Sequence, residues 1–224
     1  MNGKLYITAT PIGNLGDITL RALETLKSVD FVLCEDTRVT QKLLNHYEIK
    51  TSTISYHQHS KDKKINEITK LLEEGKNLAL VTDAGTPGIS DPGNELINVI
   101  LSVSRRAQDD VIIPIPGPSA ITTALSISGF NTSKFLFLGF PPRKKGRRKF
   151  FQEVVDAKHT VAFYESCHRI KKTLKELSGV LDGNRQVCVC RELTKKFETI
   201  YRGNINELEE MDIKEKGEFV VIIN

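Results

Sequence analysis

The sequence predicts two α/β domains, the first on an open, mostly parallel sheet and the second on a mixed sheet. Three observations predict this. Strand-like and helix-like apolar patterns alternate along most of the 224 residues, as they do in βαβ units. Three prolines crowd into Pro114-Ile115-Pro116-Gly117-Pro118, where neither a helix nor a strand can run through. The last strand-like segments follow one another closely, which suits a mixed or antiparallel sheet.

In chain order, residues 4–10 read as a strand and 19–28 as a helix with Leu20, Leu23 and Leu26 on one face. A second strand (31–34), a second helix (39–47) and a short extended segment (52–56) follow. Residues 62–74 form the clearest amphipathic helix: Ile65, Ile68, Leu71 and Leu72 share a face, and Gly75 closes it. Residues 78–82 are a buried strand, 94–103 a helix and 111–115 another strand. Beyond the prolines come helix 120–127, strand 135–140, helix 148–156, strand 160–165 and helix 169–177. Strands 186–191, 197–202 and 219–223 complete the pattern. The domains are thus read as 1–116 and 117–224, and clefts between domains are preferred ligand sites.

Composition narrows the class. With 39% hydrophobic and 27% charged residues the chain can bury a core, which excludes global disorder. No apolar run approaches the roughly 18 residues of a membrane span. The N-terminus runs straight into a strand pattern, without the shape of a signal or transit peptide. The four cysteines, at 34, 167, 188 and 190, form no C-x-x-C pair and read as reduced thiols of a cytoplasmic protein. Net charge is only +4, but it is unevenly spread. Residues 1–116 hold 13 basic and 15 acidic residues, whereas 117–224 hold 19 and 13, so the second half is suited to a polyanion.

Several chemistries are absent. There is no G-x-G-x-x-G after a strand, no G-x-x-x-x-G-K-[ST] and no G-x-S-x-G. Cys188-x-Cys190 reads as small core residues in the absence of a second pair, and His57-x-His59 lacks a third zinc ligand, so no metal is expected.

Three loops rich in glycine and proline follow strand ends: TPIGNLGD at 10–17, DAGTPGISDPG at 83–93 and PGPSA at 116–120. In an open α/β sheet the carboxyl ends of the strands line the ligand crevice. Glycines let the backbone approach a ligand, and prolines pre-set the loop so that binding costs little entropy. Glu35-Asp36-Thr37-Arg38, also at a strand end, suits either of two roles: holding a sugar or hydroxyl, or capping the helix that follows. At 143–149 (RKKGRRK), six cations occupy seven positions in a proline- and glycine-bounded loop, the electrostatic footprint of nucleic-acid binding.

Together, LYITATPIGNLGDITLRAL (5–23), EDTR (35–38), DAGTPGISDPG (83–93), PGPSA (116–120), the basic loop and RELTKKFE (191–198) resemble the bacterial ribosomal RNA small subunit methyltransferase I family. That family lies within the tetrapyrrole (class III) methylases. FYESCHR at 163–169 is similar to the family's FYESPHR, with Cys167 where proline is usual. Members commonly continue into a small C-terminal module, and this chain ends at Asn224.

The resemblance implies two α/β domains of the tetrapyrrole methylase type, with S-adenosylmethionine folded between them, and a cytoplasmic homodimer without membrane contact. It implies 2′-O-methylation of a cytidine in the decoding region of 16S rRNA, the partner being that RNA or the small ribosomal subunit. By analogy Pro11, Ile12, Gly85, Thr86, Pro87, Ile89, Ser119 and Ala120 contact the cofactor, and Tyr164, Glu165 and Glu192 close over its adenine. Glu35, Asp36 and His57 are candidates to position or deprotonate the hydroxyl. Arg38, Arg143, Lys144, Lys145, Arg147, Arg148, Lys149, Lys195 and Lys196 are expected to contact RNA. Two alternatives stand beside this: a methyltransferase acting on a tetrapyrrole precursor, and a non-catalytic RNA-binding protein with a relic cofactor cleft.

Overall fold

A computed structural model describes residues 3–57, 62–91, 93–103 and 111–224. The chain divides into two compact units, Met1–Ser119 and Ala120–Asn224, so the proline-rich segment at 114–118 belongs to the first. His59, half of the His57-x-His59 pair, lies outside the described residues, as does Pro92.

The first unit contains strands β1 (Leu5–Thr8), β2 (Phe31–Cys34), β3 (Ser52–Ser55), β4 (Leu78–Leu80) and β5 (Ile112–Ile115). All pair in parallel, in the order β3-β2-β4-β1-β5. Helices α1 (Leu20–Ser28), α2 (Thr37–His46), α3 (Asp62–Glu73) and α4 (Asn94–Val103) make the crossovers. Period-two alternation along the strands decides which helices cover each face. Leu78 and Leu80 point, with Leu33, into a core with Ile65, Ile68 and Leu72 of α3 and Leu96 and Ile100 of α4. Ala79, Val81, Val32 and Cys34 point the opposite way, toward Leu26 of α1 and Leu44 of α2. Both faces are therefore buried, as a parallel sheet requires. Helix α2 starts at Thr37 and not at 39, because the Asp36 side chain caps it by accepting from the Arg38 N–H.

The second unit opens with α5 (Ala120–Ser128) and carries β6 (Phe135–Phe137), β7 (Thr160–Ser166), β8 (Gln186–Arg191), β9 (Thr199–Asn204) and β10 (Glu218–Ile223). Its sheet order is β6-β7-β10-β8-β9; β6 pairs β7 in parallel and the other pairs are antiparallel, so the sheet is mixed. One face packs Val161, Phe163, Val189 and Val221 against α6 (Arg147–Asp156), α7 (Ile170–Ser178) and α8 (Ile205–Glu210). The other is met by α5 at β7 and β10. Cys188 and Cys190 are fully buried, their Sγ atoms 3.8 Å apart.

Besides α2, strand β6 stops at Phe137 and not at 140, and two further departures from the sequence reading have a local cause. Helix α8 is too short to display a helical period; its legible signal is the Asn204–Glu207 capping box. Strand β9 begins two residues later than read, because the Phe197 carbonyl is taken by Arg191 Nη1 (2.8 Å) and so ends a loop instead of starting a strand.

Candidate functional site

At the carboxyl edge of the parallel sheet, the three glycine- and proline-rich loops are tied to one another. Thr10 and Gly85 exchange backbone hydrogen bonds (2.9 and 3.0 Å), and the Thr10 hydroxyl donates to the Thr82 carbonyl at 3.0 Å. The Thr86 hydroxyl donates to the Pro118 carbonyl at 3.1 Å, joining the second loop to the third. Gly85 has φ +86°, and a Cβ there would meet Ile12 Cγ2 at 3.4 Å and the Pro118 carbonyl oxygen at 3.7 Å. The left-handed backbone, more than any lack of room, is what calls for glycine where the three loops meet. Pro11, Ile12, Gly85, Thr86, Pro87 and Ser119 lie on these tied loops, while Ile89 is exposed on the second. Ala120 starts α5, and Tyr164, Glu165 and Glu192 belong to the second unit.

Beside the loops, the ends of β2, β3 and β4 collect acids. Glu35, Asp36, Thr37, Arg38, Ser55, His57 and Asp83 line an open pocket of about 570 Å³. The Asp36 N–H donates to Asp83 Oδ1 at 3.2 Å, which fixes the two turns together. Asp36 itself is occupied: its carboxylate accepts from the Arg38 N–H at 2.8 Å and pairs with the Arg38 guanidinium at 2.6 Å. Those bonds hold its pKa down at about 2, which makes it a poor proton acceptor at neutral pH. Glu35 differs. Burial raises its pKa, the Asp83 charge raises it further and His57 opposes.

Two acids of this cluster, Asp83 and Asp91, lie in a loop that the sequence marks only as a ligand edge. Asp83 is raised by burial and by the Asp36 charge, against the pull of the Asp36 N–H. Asp91 is raised to about 6 by burial, with the Thr82 hydroxyl opposing and the Glu35 and Asp83 charges adding. Their signal is present in DAGTPGISDPG, whose two aspartates bracket Gly85 and Gly88. Among the described residues, no group of three or more His, Cys, Asp or Glu is placed to hold a metal ion.

In the second unit the basic loop is divided. Arg143, Lys144, Lys145, Arg148 and Lys149 are exposed, whereas Arg147 is buried. Arg147 shares a stripe with Phe150, Phe151 and Val154 at i, i+3, i+4 and i+7 of α6, and that spacing could have been read from the sequence. Its guanidinium reaches Glu176 (2.6 Å), the Thr173 hydroxyl (2.6 Å) and the Pro142 carbonyl (3.2 Å), and stacks over Phe151. Arg147 is therefore an internal anchor, and the expectation that it faces RNA is corrected. Glu165 is also internal: it accepts from the Thr173 hydroxyl at 2.6 Å and pairs with Arg169 at 2.7 Å. Lys195 is held by Glu192 (3.0 Å) and Glu218 (2.8 Å), and Arg38 by Asp36, while Lys196 stays exposed.

The fold and these loops have counterparts. The family model of the tetrapyrrole (corrin/porphyrin) methylases matches residues 4–209. The chain is 48% identical over 224 residues to the ribosomal RNA small subunit methyltransferase I of Halalkalibacterium halodurans, covering 99% of this chain and 75% of that protein. The chain belongs to the methyltransferase I family of tetrapyrrole methylases. It is 44% identical to the Thermotoga maritima protein of the same name, covering 99% of this chain and 98% of that one. Among solved structures, the methyltransferase CobJ shares the fold, with a TM-score of 0.72 at 15% identity, over 99% of this chain and 94% of CobJ.

Tetrapyrrole methylases draw their methyl group from S-adenosylmethionine, the cofactor of this chain. The methylase residues present here fit it. Exposed Ile89 offers an apolar surface, and the carboxylates of Asp83 and Asp91 suit ribose hydroxyls. In the second unit the Thr194 hydroxyl is buried without a hydrogen-bond partner among the described residues, two positions from Glu192.

Proposed function

We propose that the protein methylates the 2′-hydroxyl of a cytidine in the decoding region of 16S rRNA, acting in the cytoplasm as a homodimer. The observation that carries the RNA reading is the loop at 143–149. Five of its cations are exposed, without an acidic partner among the described residues, in a chain 48% identical to a ribosomal RNA small subunit methyltransferase I. No helix among the described residues is long and apolar enough to cross a membrane.

When bound, S-adenosylmethionine supplies a methyl group already activated by its sulfonium. The protein's own work is geometry and proton handling. A ribose hydroxyl is a very weak acid, so a group of the protein would have to take its proton as the oxygen is methylated. Glu35 takes that proton: burial and the Asp83 charge make it more basic than an ordinary carboxylate. His57 lines the same pocket and positions the ribose, while Asp36 fixes the turn that presents Glu35. Pro11, Ile12, Gly85, Thr86, Pro87, Ile89 and Ser119, all of the first unit, contact the cofactor.

The test is methyl transfer from labelled cofactor to undermethylated small ribosomal subunits, followed by nuclease mapping. The expected product is a single 2′-O-methylcytidine. Label in a tetrapyrrole precursor and none in RNA overturns the reading.

A further inference from the structure

The segment from Arg191 to Thr199 holds a large apolar ring in water. Phe197 is 61% exposed. Its position is built, not loose. Buried Arg191 donates from Nη1 to the Phe197 carbonyl at 2.8 Å and from Nε to the Lys216 carbonyl at 2.6 Å. The Thr194 N–H donates to Glu198 Oε2 at 2.6 Å, and Glu192 and Thr194 adopt positive φ (53° and 65°) to complete the turn. The backbone thus commits the ring to the outside before any ligand arrives, which lowers the entropy cost of covering it.

Its surroundings are sorted by charge. The Lys196 and Lys214 ammonium groups lie over the ring, 5.7 and 5.8 Å from its centroid, on flexible stems that a stacking base would push aside toward its phosphates. The neighbouring acids are already engaged: Glu192 and Glu218 by Lys195, Glu198 by the Thr194 N–H, Asp212 and Glu215 by Lys171. Neither Lys196 nor Lys214 has an acidic partner among the described residues. A π-face flanked by two such cations is what binding of single-stranded nucleic acid uses: a base stacks on the ring while adjoining phosphates meet the cations. An apolar protein surface would instead desolvate two unpaired lysines.

We propose that Phe197 is a stacking platform for an unpaired base of the RNA substrate, with Lys196 and Lys214 receiving its flanking phosphates. This rests on the RNA reading and adds a contact remote in sequence from the basic loop. The chain contains no tryptophan, so Phe197→Trp introduces a single fluorescent reporter. Titration of that variant with a cytidine-rich oligoribonucleotide of about 12 nucleotides should quench its emission, and an abasic strand of equal length should not. Phe197→Ala should weaken binding of the labelled oligonucleotide roughly 5- to 150-fold, the range for removing one stacking aromatic. Lys196→Gln and Lys214→Gln should each flatten the salt slope by up to about 0.7. If the unaltered protein binds RNA and Phe197→Ala binds it equally well, the platform is wrong and the RNA reading survives. If the unaltered protein binds no RNA, both fall. If Phe197→Ala changes only the sedimentation of the protein, the ring serves self-association and the proposal is overturned.

Discussion

Glu165 Oε1 lies 2.7 Å from Arg169 Nη2, with the Glu165 side chain fully buried. Arg169 Nη1 donates to the Pro141 carbonyl at 2.9 Å, and Arg147 Nη1, 3.8 Å from Glu165 Oε2, donates to the Pro142 carbonyl at 3.2 Å. One buried carboxylate on β7 therefore holds two arginines, and the arginines hold the root of the basic loop. An expected cofactor contact is in this geometry a positioning residue.

Removing that charge leaves both guanidinium groups without their shared counter-ion. Glu165→Gln should lose about 3–5 kcal/mol of stability, as breaking a buried ion pair does. Urea unfolding followed by circular dichroism measures it; an unchanged midpoint would show that the network carries no stability.

The two kinds of cation in the loop should separate experimentally. Neutralising Arg143, Lys144, Arg148 and Lys149 should weaken RNA binding and flatten its dependence on salt. The slope should fall by up to about 0.9 for each duplex phosphate left without its cation, or about 0.7 on single strands. Arg147→Gln should lower the melting temperature and leave the slope unchanged. A slope that responds to Arg147 and not to the others would reverse the assignment.

Glu35 and Asp36 are adjacent but differ in what they are free to do. Glu35→Gln should reduce kcat by about 10²–10⁴, the usual contribution of a general base, with cofactor affinity retained. Asp36→Asn keeps a good helix cap and loses only an exposed ion pair, so its kcat should stay within a few-fold. Single-turnover methylation with calorimetric titration of the cofactor distinguishes them; equal losses would return Asp36 to the chemistry.

Asp91 makes stability depend on pH. Its folded pKa of about 6 lies above the ordinary 3.8, so the folded state binds the proton more tightly. The stability this confers is complete below about pH 3.8 and is lost as pH rises through 6. Asp91→Asn removes the charge that the folded state disfavours. Its melting temperature should match the unaltered protein near pH 4, exceed it progressively through pH 6 and level off by pH 8. A constant difference across that range would place Asp91 in a solvated site.

By itself the sequence determined the order of most elements, because their signals are local. The short apolar run at 78–82, the apolar stripe in 62–74 and the prolines at 114–118 each report on chain a few residues away. The glycine–proline loops were legible as a ligand edge for the same reason. Tertiary structure alone decided what the polar groups do. Arg147 and Arg148 look alike in a run of cations, yet one faces the core and the other water, a difference set by which face of α6 meets the sheet. Asp36 and Glu35 are told apart only once Arg38 closes on the first, while burial and the Asp83 charge act on the second. Asp91 becomes a weak acid because the fold buries it, and the nearby Glu35 and Asp83 charges, distant in sequence, add to the shift. Charge and burial act through space, and space is what a linear pattern does not contain.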